Sequence, residues 1–245
     1  MPVDFRNVRL GRRAHDPARV ATVQSHRMGA AAKVPDKLDR SAIPFTPHDC
    51  GNKLFPMCTG EATLNCAAAW SWVQTGADIT FDPAKIQAFY AACVGVPDTP
   101  AAISATDGAV ILDVLERAER LGFDVGQQVP LVPVYESIDT ENQQAIAHAV
   151  LECGAADIGV MLSISDQYMS VWDTNTPAVA GDPTPGSWGG HDTFIFDWDG
   201  MEPTSLVRIG TWAAWQRATW RWVMARLQAQ EAFALRWPQI ARLAA

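Results

Sequence analysis

The order of textures along the chain constrains its fold more than any other feature. Helix-patterned segments fill the stretch from Cys58 to Gly122, and short β-rich runs dominate beyond Val129. The run CTGEATLNCAAAWSWVQTG follows Pro56, is rich in Ala, and meets a stop at Gly76. It predicts a helix of about four turns that opens on a cysteine. In FDPAKIQAFYAACVG, Asp82 and Pro83 take cap and first-turn positions, and Ile86, Phe89, Tyr90 and Cys93 share one face. TDGAVILDVLERAERLGF repeats this grammar, with Gly122 as its stop. Next come VPLVPVY, a run suited to an edge strand because Pro130 and Pro133 break it, and DTENQQAIAHAVLECG, a helix. IGVMLSIS, HDTFIFDWDG, SLVRIGTW and ATWRWVM read as strands, and ARLQAQEAFALRW as a closing amphipathic helix. Helices first and mostly antiparallel sheet second is an α+β order.

With 48% hydrophobic residues, ten Trp and 19% charged residues in 245, the chain has enough apolar surface to offset the entropy of ordering. No apolar run approaches the roughly 18 residues that cross a bilayer, and the first twenty residues lack an apolar signal core. The expectation is a chain without a membrane span or Sec signal peptide, cytoplasmic at synthesis. Charge is segregated. Residues 1–40 hold nine Lys and Arg against four Asp and Glu, residues 41–206 four against 22, and residues 207–245 six against one. Pro2, Pro17, Pro35, Pro44 and Pro47 punctuate a stretch without periodicity, so residues 1–45 read as an extended basic arm and residues 46–245 as one domain. The arm docks on the acidic body or on a partner. The acidic middle argues against a nucleic-acid face and makes the many Trp core and groove wall rather than stacking platforms.

Five cysteines without a CxxC pair exclude a disulfide scaffold and leave each thiol as a small hydrophobe or a chemical group. Cys58 opens a helix, where unpaired N–H groups and the macrodipole favour a thiolate. A thiol nucleophile needs a base, and the histidines are His15 and His26 in the arm, His48, His148 and His191. His191 follows a Trp-Gly-Gly corner and opens the run DTFIFDWD, so its ring stands at a sheet end. His148 falls on a helix face with no evident partner. Taken singly, Cys58 also suits a buried structural thiol, His191 a hydrogen-bonded sheet-end histidine and Asn52 a turn residue. His48, Cys50, Cys58 and His191 are zinc-ligand types without a recurrent zinc spacing, so no metal and no organic cofactor is expected.

A Cys opening a helix, a helical region, a His at a strand start and a later Thr-Trp turn resemble the papain-like cysteine peptidase superfamily. The segments NKLFPMCTGEA, DGAVILDVLERAERLGF, GSWGGHDTFIFDWDG and IGTWAAWQRATWRWV are similar to a divergent group found largely in phages and prophages. The resemblance spans residues 45–235 and implies a helical half carrying Cys58 and a sheet half carrying His191. It implies Cys58 as nucleophile and His191 as its base. Asn52, six residues earlier, would stabilise the oxyanion together with the Cys58 N–H. It also calls for an Asn or Asp just before the Thr-Trp pair to orient the imidazole. Gly210 stands there, which leaves Thr211 or Asp197 as substitutes. Phe55-Pro56-Met57 replaces a Gly-containing approach to the nucleophile and narrows access to it.

The function implied is a cysteine hydrolase of phage or prophage origin acting on a polypeptide or peptidoglycan amide bond. The alternative is a catalytically inactive papain-like virion protein whose basic arm docks on other virion subunits.

Overall fold

A computed structural model describes residues 8–26, 33–126, 129–176 and 179–243. A short helix α1 (Pro17–Val20), capped by Asp16, interrupts the N-terminal stretch. Helix α2 (Cys58–Thr75) follows, ended by Gly76 at φ 72°. Helix α3 (Pro83–Val94) starts on the Asp82 cap and stops at Gly95, also left-handed. α4 (Pro100–Ser104), a single turn on the Thr99 cap, lacks the length to show a period and escaped the sequence pattern. α5 (Ile111–Leu121) completes the helical half.

The sheet half comprises β1 (Val134–Ser137), β2 (Ala156–Leu162), β3 (Val171–Trp172), β4 (Gly189–Trp198), β5 (Leu206–Thr211), β6 (Ala214–Thr219) and β7 (Leu227–Arg236). Their order across the sheet is β1-β7-β2-β4-β5-β6-β3, antiparallel throughout except where β3 joins β6. Helices α6 (Gln143–Cys153), α7 (Trp220–Arg226) and α8 (Pro238–Leu243) and a 3-10 helix (Ile164–Tyr168) complete the elements. Among the described residues no helix is long and apolar enough to cross a membrane.

Period-two alternation sorts the side chains of the central strands into two cores. Phe194, Phe196, Phe233 and Leu235 face the layer of α2, α3 and α5. Ile195, Ile158, Val160, Ala232 and Ala234 face the layer of α6 and α7. The body is thus a sheet covered on both faces, with the cysteine helix packed along β4. Residues 33–45 belong to this packing: Arg40 is buried and donates to the carbonyls of Val150, Gly154 and Phe196, and Phe45 lies among Phe194, Phe196 and Trp215.

Two expectations near the C-terminus are corrected. The ATWRWVM run is not one strand, because Thr219 accepts from the Trp222 N–H at 3.3 Å, caps α7 and turns 220–226 helical. The segment expected as a closing helix is instead β7. Its Ala, Gln, Leu and Glu favour a helix locally, but pairing with both β1 and β2 satisfies its backbone on two edges.

Candidate active site

Cys58 is the first residue of α2 and is fully buried. Its flanking Pro56 is held by Tyr90, whose hydroxyl donates to the Pro56 carbonyl. His191 lies on β4, opposite Val160 of β2, and is also fully buried. Its Nε2 lies 2.5 Å from Thr211 Oγ1, at the end of β5. With Thr211 Oγ1 as acceptor, the ring proton sits on Nε2 and the Nδ1 lone pair is free. Among the described residues Nδ1 has no hydrogen-bond partner.

Of the two substitutes, Thr211 is the one that meets the ring, and the reason Gly210 precedes it is steric. Gly210 faces Phe194 across the β4–β5 ladder, and a Cβ there would sit 2.0 Å from the Phe194 ring. Asp197, the other candidate, is not brought to the histidine. It pairs with Arg208 and accepts from the Arg40 backbone N–H.

The indole of Trp212 stacks on the His191 ring at 4.0 Å and 13°. Trp212 and Ala213 form the two-residue β5–β6 hairpin loop with φ of 45° and 55°, a conformation that costs of order 1–3 kcal/mol per non-glycine residue. Glu61, one turn after Cys58, accepts from the Ala213 N–H at 3.1 Å and so ties this strained turn to the cysteine helix. Burial pushes the Glu61 carboxyl up to about 8. It is the only charged residue of α2, a signal that the sequence carried and the motif reading passed over.

Asn52 lies in the turn before α2, buried, near enough to Glu61 to counter part of that shift. Neither of its amide atoms makes a hydrogen bond among the described residues. Behind the pair, the buried carboxyls of Asp157 and Asp192 lie against one another. Burial raises both, the Asp157 charge raises Asp192 further, and hydrogen bonds from Asp192 and from Thr63 of α2 hold Asp157 down in part, so the pair retains a proton that sits on Asp192.

The N-terminal segment threads between the two halves over these groups. The Gly11 carbonyl accepts from Ala109 N–H at 2.9 Å, the Arg13 N–H donates to the Ala109 carbonyl at 2.8 Å, and the Arg12 N–H donates to the Gly190 carbonyl at 3.4 Å. Three glycines permit this approach. A Cβ on Gly11 would fall 2.0 Å from the Pro56 oxygen, one on Gly108 would meet the Gly11 carbonyl, and one on Gly190 would lie 2.7 Å from the Arg12 oxygen. Further along, Trp212 Nε1 donates to the Arg9 carbonyl, Arg12 pairs with buried Glu231 of β7, and Arg19 bridges Asp113 and Glu116 of α5.

This seal governs the electrostatics. Burial pushes the Cys58 thiol up to about 12, opposed only in part by the backbone N–H groups of Asp192 and Gly11 and the charge of Arg12. Burial, aided by the Arg12 charge, pulls His191 down to about 3. At neutral pH the site holds a thiol and a neutral imidazole, and an N–H rather than a carbonyl carbon approaches the sulfur. His48, grouped with the cysteines as ligand types, turns instead to Asp78 at 3.0 Å.

Set beside solved structures, the chain is similar to xylellain, a cysteine protease from Xylella fastidiosa. The TM-score is 0.67 at 15% identity, over 94% of this chain and 96% of that one. It is also similar to procathepsin L 3 of the Tenebrio molitor larval midgut (TM-score 0.60, 10% identity, 89% and 77% covered). A third similar structure is procathepsin B S9 from Trypanosoma congolense (TM-score 0.60, 9% identity, 92% and 85% covered). The fold is that of the papain-like cysteine proteases. No family model and no curated protein matches the sequence.

Proposed function

We propose that this protein is a cysteine hydrolase of peptide amide bonds whose own N-terminal segment keeps it latent. The observation that supports the reading is a helix-opening cysteine whose sulfur meets the backbone N–H of Asp192, the residue after His191, beneath a length of backbone bonded to both walls of the groove. An extended segment held through Ala109 and Gly190 by main-chain hydrogen bonds supports a groove that takes a polypeptide without reading its side chains. Two of the similar structures are of pro-forms, which accords with latency.

In the mechanism, displacement of residues 9–13 admits water and substrate. The desolvation that opposes both charges falls away, and with it the Arg12 charge that disfavours an imidazolium. His191 Nδ1 takes the thiol proton while Nε2–H remains on Thr211 Oγ1. The thiolate attacks the amide carbonyl carbon, and the oxyanion accepts from Cys58 N–H and Asn52 Nδ2–H. The imidazolium protonates the leaving amine, and His191 then activates water to hydrolyse the acyl-enzyme. Trp212 covers the His191 ring and keeps the Thr211 hydrogen bond dry, where it is stronger. The substrate class is polypeptide, with a peptidoglycan cross-link as the second candidate. Phage origin rests on the sequence resemblance alone, and docking on virion subunits rests on the basic arm and the unmatched third residue of the resemblance.

The test is hydrolysis of an unstructured polypeptide by protein lacking residues 1–26, beside the same protein carrying Cys58→Ala or His191→Ala. The truncated protein should cleave while the intact chain and both variants do not, with the melting temperature of Cys58→Ala unchanged. A folded truncated protein that leaves polypeptide and peptidoglycan intact, and whose Cys58 alkylates no faster than its other thiols, would refute the proposal.

A further inference from the structure

Farther along the arm, His26 meets α6. Its Nδ1 lies 2.8 Å from Glu136 Oε2, on β1, and its Nε2 lies 3.1 Å from His148 Nδ1 and 3.7 Å from Glu152 Oε2. His148 and Glu152 are one turn apart on α6, with His148 Nε2 3.6 Å from Glu152 Oε1. Both imidazoles are almost wholly buried, whereas the Glu152 side chain is 38% exposed and opens the cluster to solvent.

Proton positions expose what this cluster lacks. Glu136 also pairs with Arg236, whose guanidinium lies 2.8 Å from Oε1, so its carboxylate is held between a cation and the His26 ring. An ionised carboxylate only accepts, so His26 carries its proton on Nδ1 and turns the Nε2 lone pair toward His148 and Glu152. If neutral His148 is protonated on Nε2, two nitrogen lone pairs confront each other at 3.1 Å. If it is protonated on Nδ1, its buried Nε2, which makes no hydrogen bond among the described residues, turns a lone pair to the Glu152 carboxylate. With both imidazoles neutral, either tautomer leaves acceptors facing acceptors in a buried place, a conflict that one added proton or a bound metal cation resolves.

The geometry fits a metal ion. One ligand atom each from His26, His148 and Glu152 lies within 4.8 Å of the others. Ligands at about 2.0–2.1 Å around a tetrahedral zinc stand about 3.3 Å apart, close to the separations from His26 Nε2. Glu136 supplies the outer carboxylate that fixes a ligating histidine, and the exposed side leaves a fourth position for water. Two imidazoles and a carboxylate suit Zn2+ and its transition-metal neighbours, not Mg2+ or Ca2+.

We propose that His26, His148 and Glu152 form a divalent transition-metal site that clamps the N-terminal arm to α6. Because His26 belongs to the same segment that crosses Cys58, occupancy holds the arm down. The regulatory consequence rests on the latency proposed above, but the site itself does not.

The test uses the full chain carrying Cys58→Ala, which removes thiolate capture of metal at the groove, titrated calorimetrically with Zn2+ alone. One ion per chain should bind, with Mg2+ and Ca2+ failing to compete. His26→Gln and Glu152→Ala should weaken binding by at least about tenfold, and Glu136→Gln by about 10–100-fold. Glu152 is partly exposed, so its variant leaves the core intact where a His148 variant risks unfolding. Absence of stoichiometric binding, or unchanged affinity in both His26→Gln and Glu152→Ala, overturns the site. In the same protein Zn2+ should slow amide exchange over residues 17–26, and not in Glu152→Ala. Binding without that slowing overturns the clamp. Neither readout involves catalysis, so their failure is distinguishable from failure of the hydrolase reading.

Discussion

Gly11→Ala tests whether the arm makes Cys58 inert, because it adds one methyl group and changes no charge. The new Cβ would lie 2.0 Å from the Pro56 oxygen and 2.2 Å from its carbonyl carbon, both backbone atoms that Tyr90 helps to hold. Ordinary carbon contacts need about 3.5 Å, so the segment must lift by about 1 Å or more. Lifting breaks the bonds of Gly11 and Arg13 to Ala109 and of Arg12 to Gly190. At about 1 kcal/mol each, their loss favours the open arm by about 3 kcal/mol, on the order of 100-fold in population. Iodoacetamide reacts with the thiolate, so the Cys58 alkylation rate near pH 7 should rise by that factor. The ceiling is set by the thiol itself. Relaxing from about 12 to an ordinary value of about 8.5 raises the thiolate fraction about 3,000-fold. Cys50, Cys66, Cys93 and Cys153 serve as internal controls. If amide exchange shows residues 11–13 released while Cys58 reacts no faster than in the native chain, the arm is not what silences the thiol.

Glu231→Gln should also loosen the arm, because it leaves the buried Arg12 guanidinium without its carboxylate, a loss of about 3–5 kcal/mol for a buried pair broken on one side. Faster Cys58 alkylation with the cooperative unfolding of the body retained is the expected result; unaltered alkylation would count against the lock. Gly210→Asn, which restores the side chain type expected beside Thr211, should lower stability by about 1–3 kcal/mol through collision with Phe194. Denaturant midpoints measure this, and adding Phe194→Ala in the same chain should recover part of the loss that the introduced side chain causes. Glu61, raised from 4.5 to about 8, binds a proton in the folded state that the unfolded chain releases. Its contribution is complete below pH 4.5 and lost as pH climbs to about 8, so the melting temperature should fall over that window. Glu61→Gln, which still accepts from Ala213, should flatten its share of that fall; parallel curves for the two proteins would refute the assignment.

What could be read in the sequence was what local chemistry decides. Pro56 and Gly76 bracket α2, Asp82 and Pro83 start α3, and the Trp-Gly-Gly corner precedes His191, so the helix with its cysteine and the strand with its histidine were both legible. The strand state of 227–236 was not, because it depends on partners at 134–137 and 156–160, roughly 70 to 100 residues away, while its own residues favour a helix. The same division runs through the site. Thr211 was a candidate because it adjoins Trp212, yet the reason for Gly210 lies in Phe194 on the neighbouring strand.

Charge segregation showed that a basic arm and an acidic body attract, but it carried no information on where they meet. That meeting is written in Gly11, Gly108 and Gly190, three residues that alone read as turn punctuation. Their shared reason appears only when two walls and a strand occupy one groove: each lacks a Cβ where another backbone passes. A glycine needed for close approach has the same letter as a glycine needed for a turn. The arm's route over Cys58, and the encounter of His26 with His148 that follows from it, therefore required the fold before the chemistry became visible.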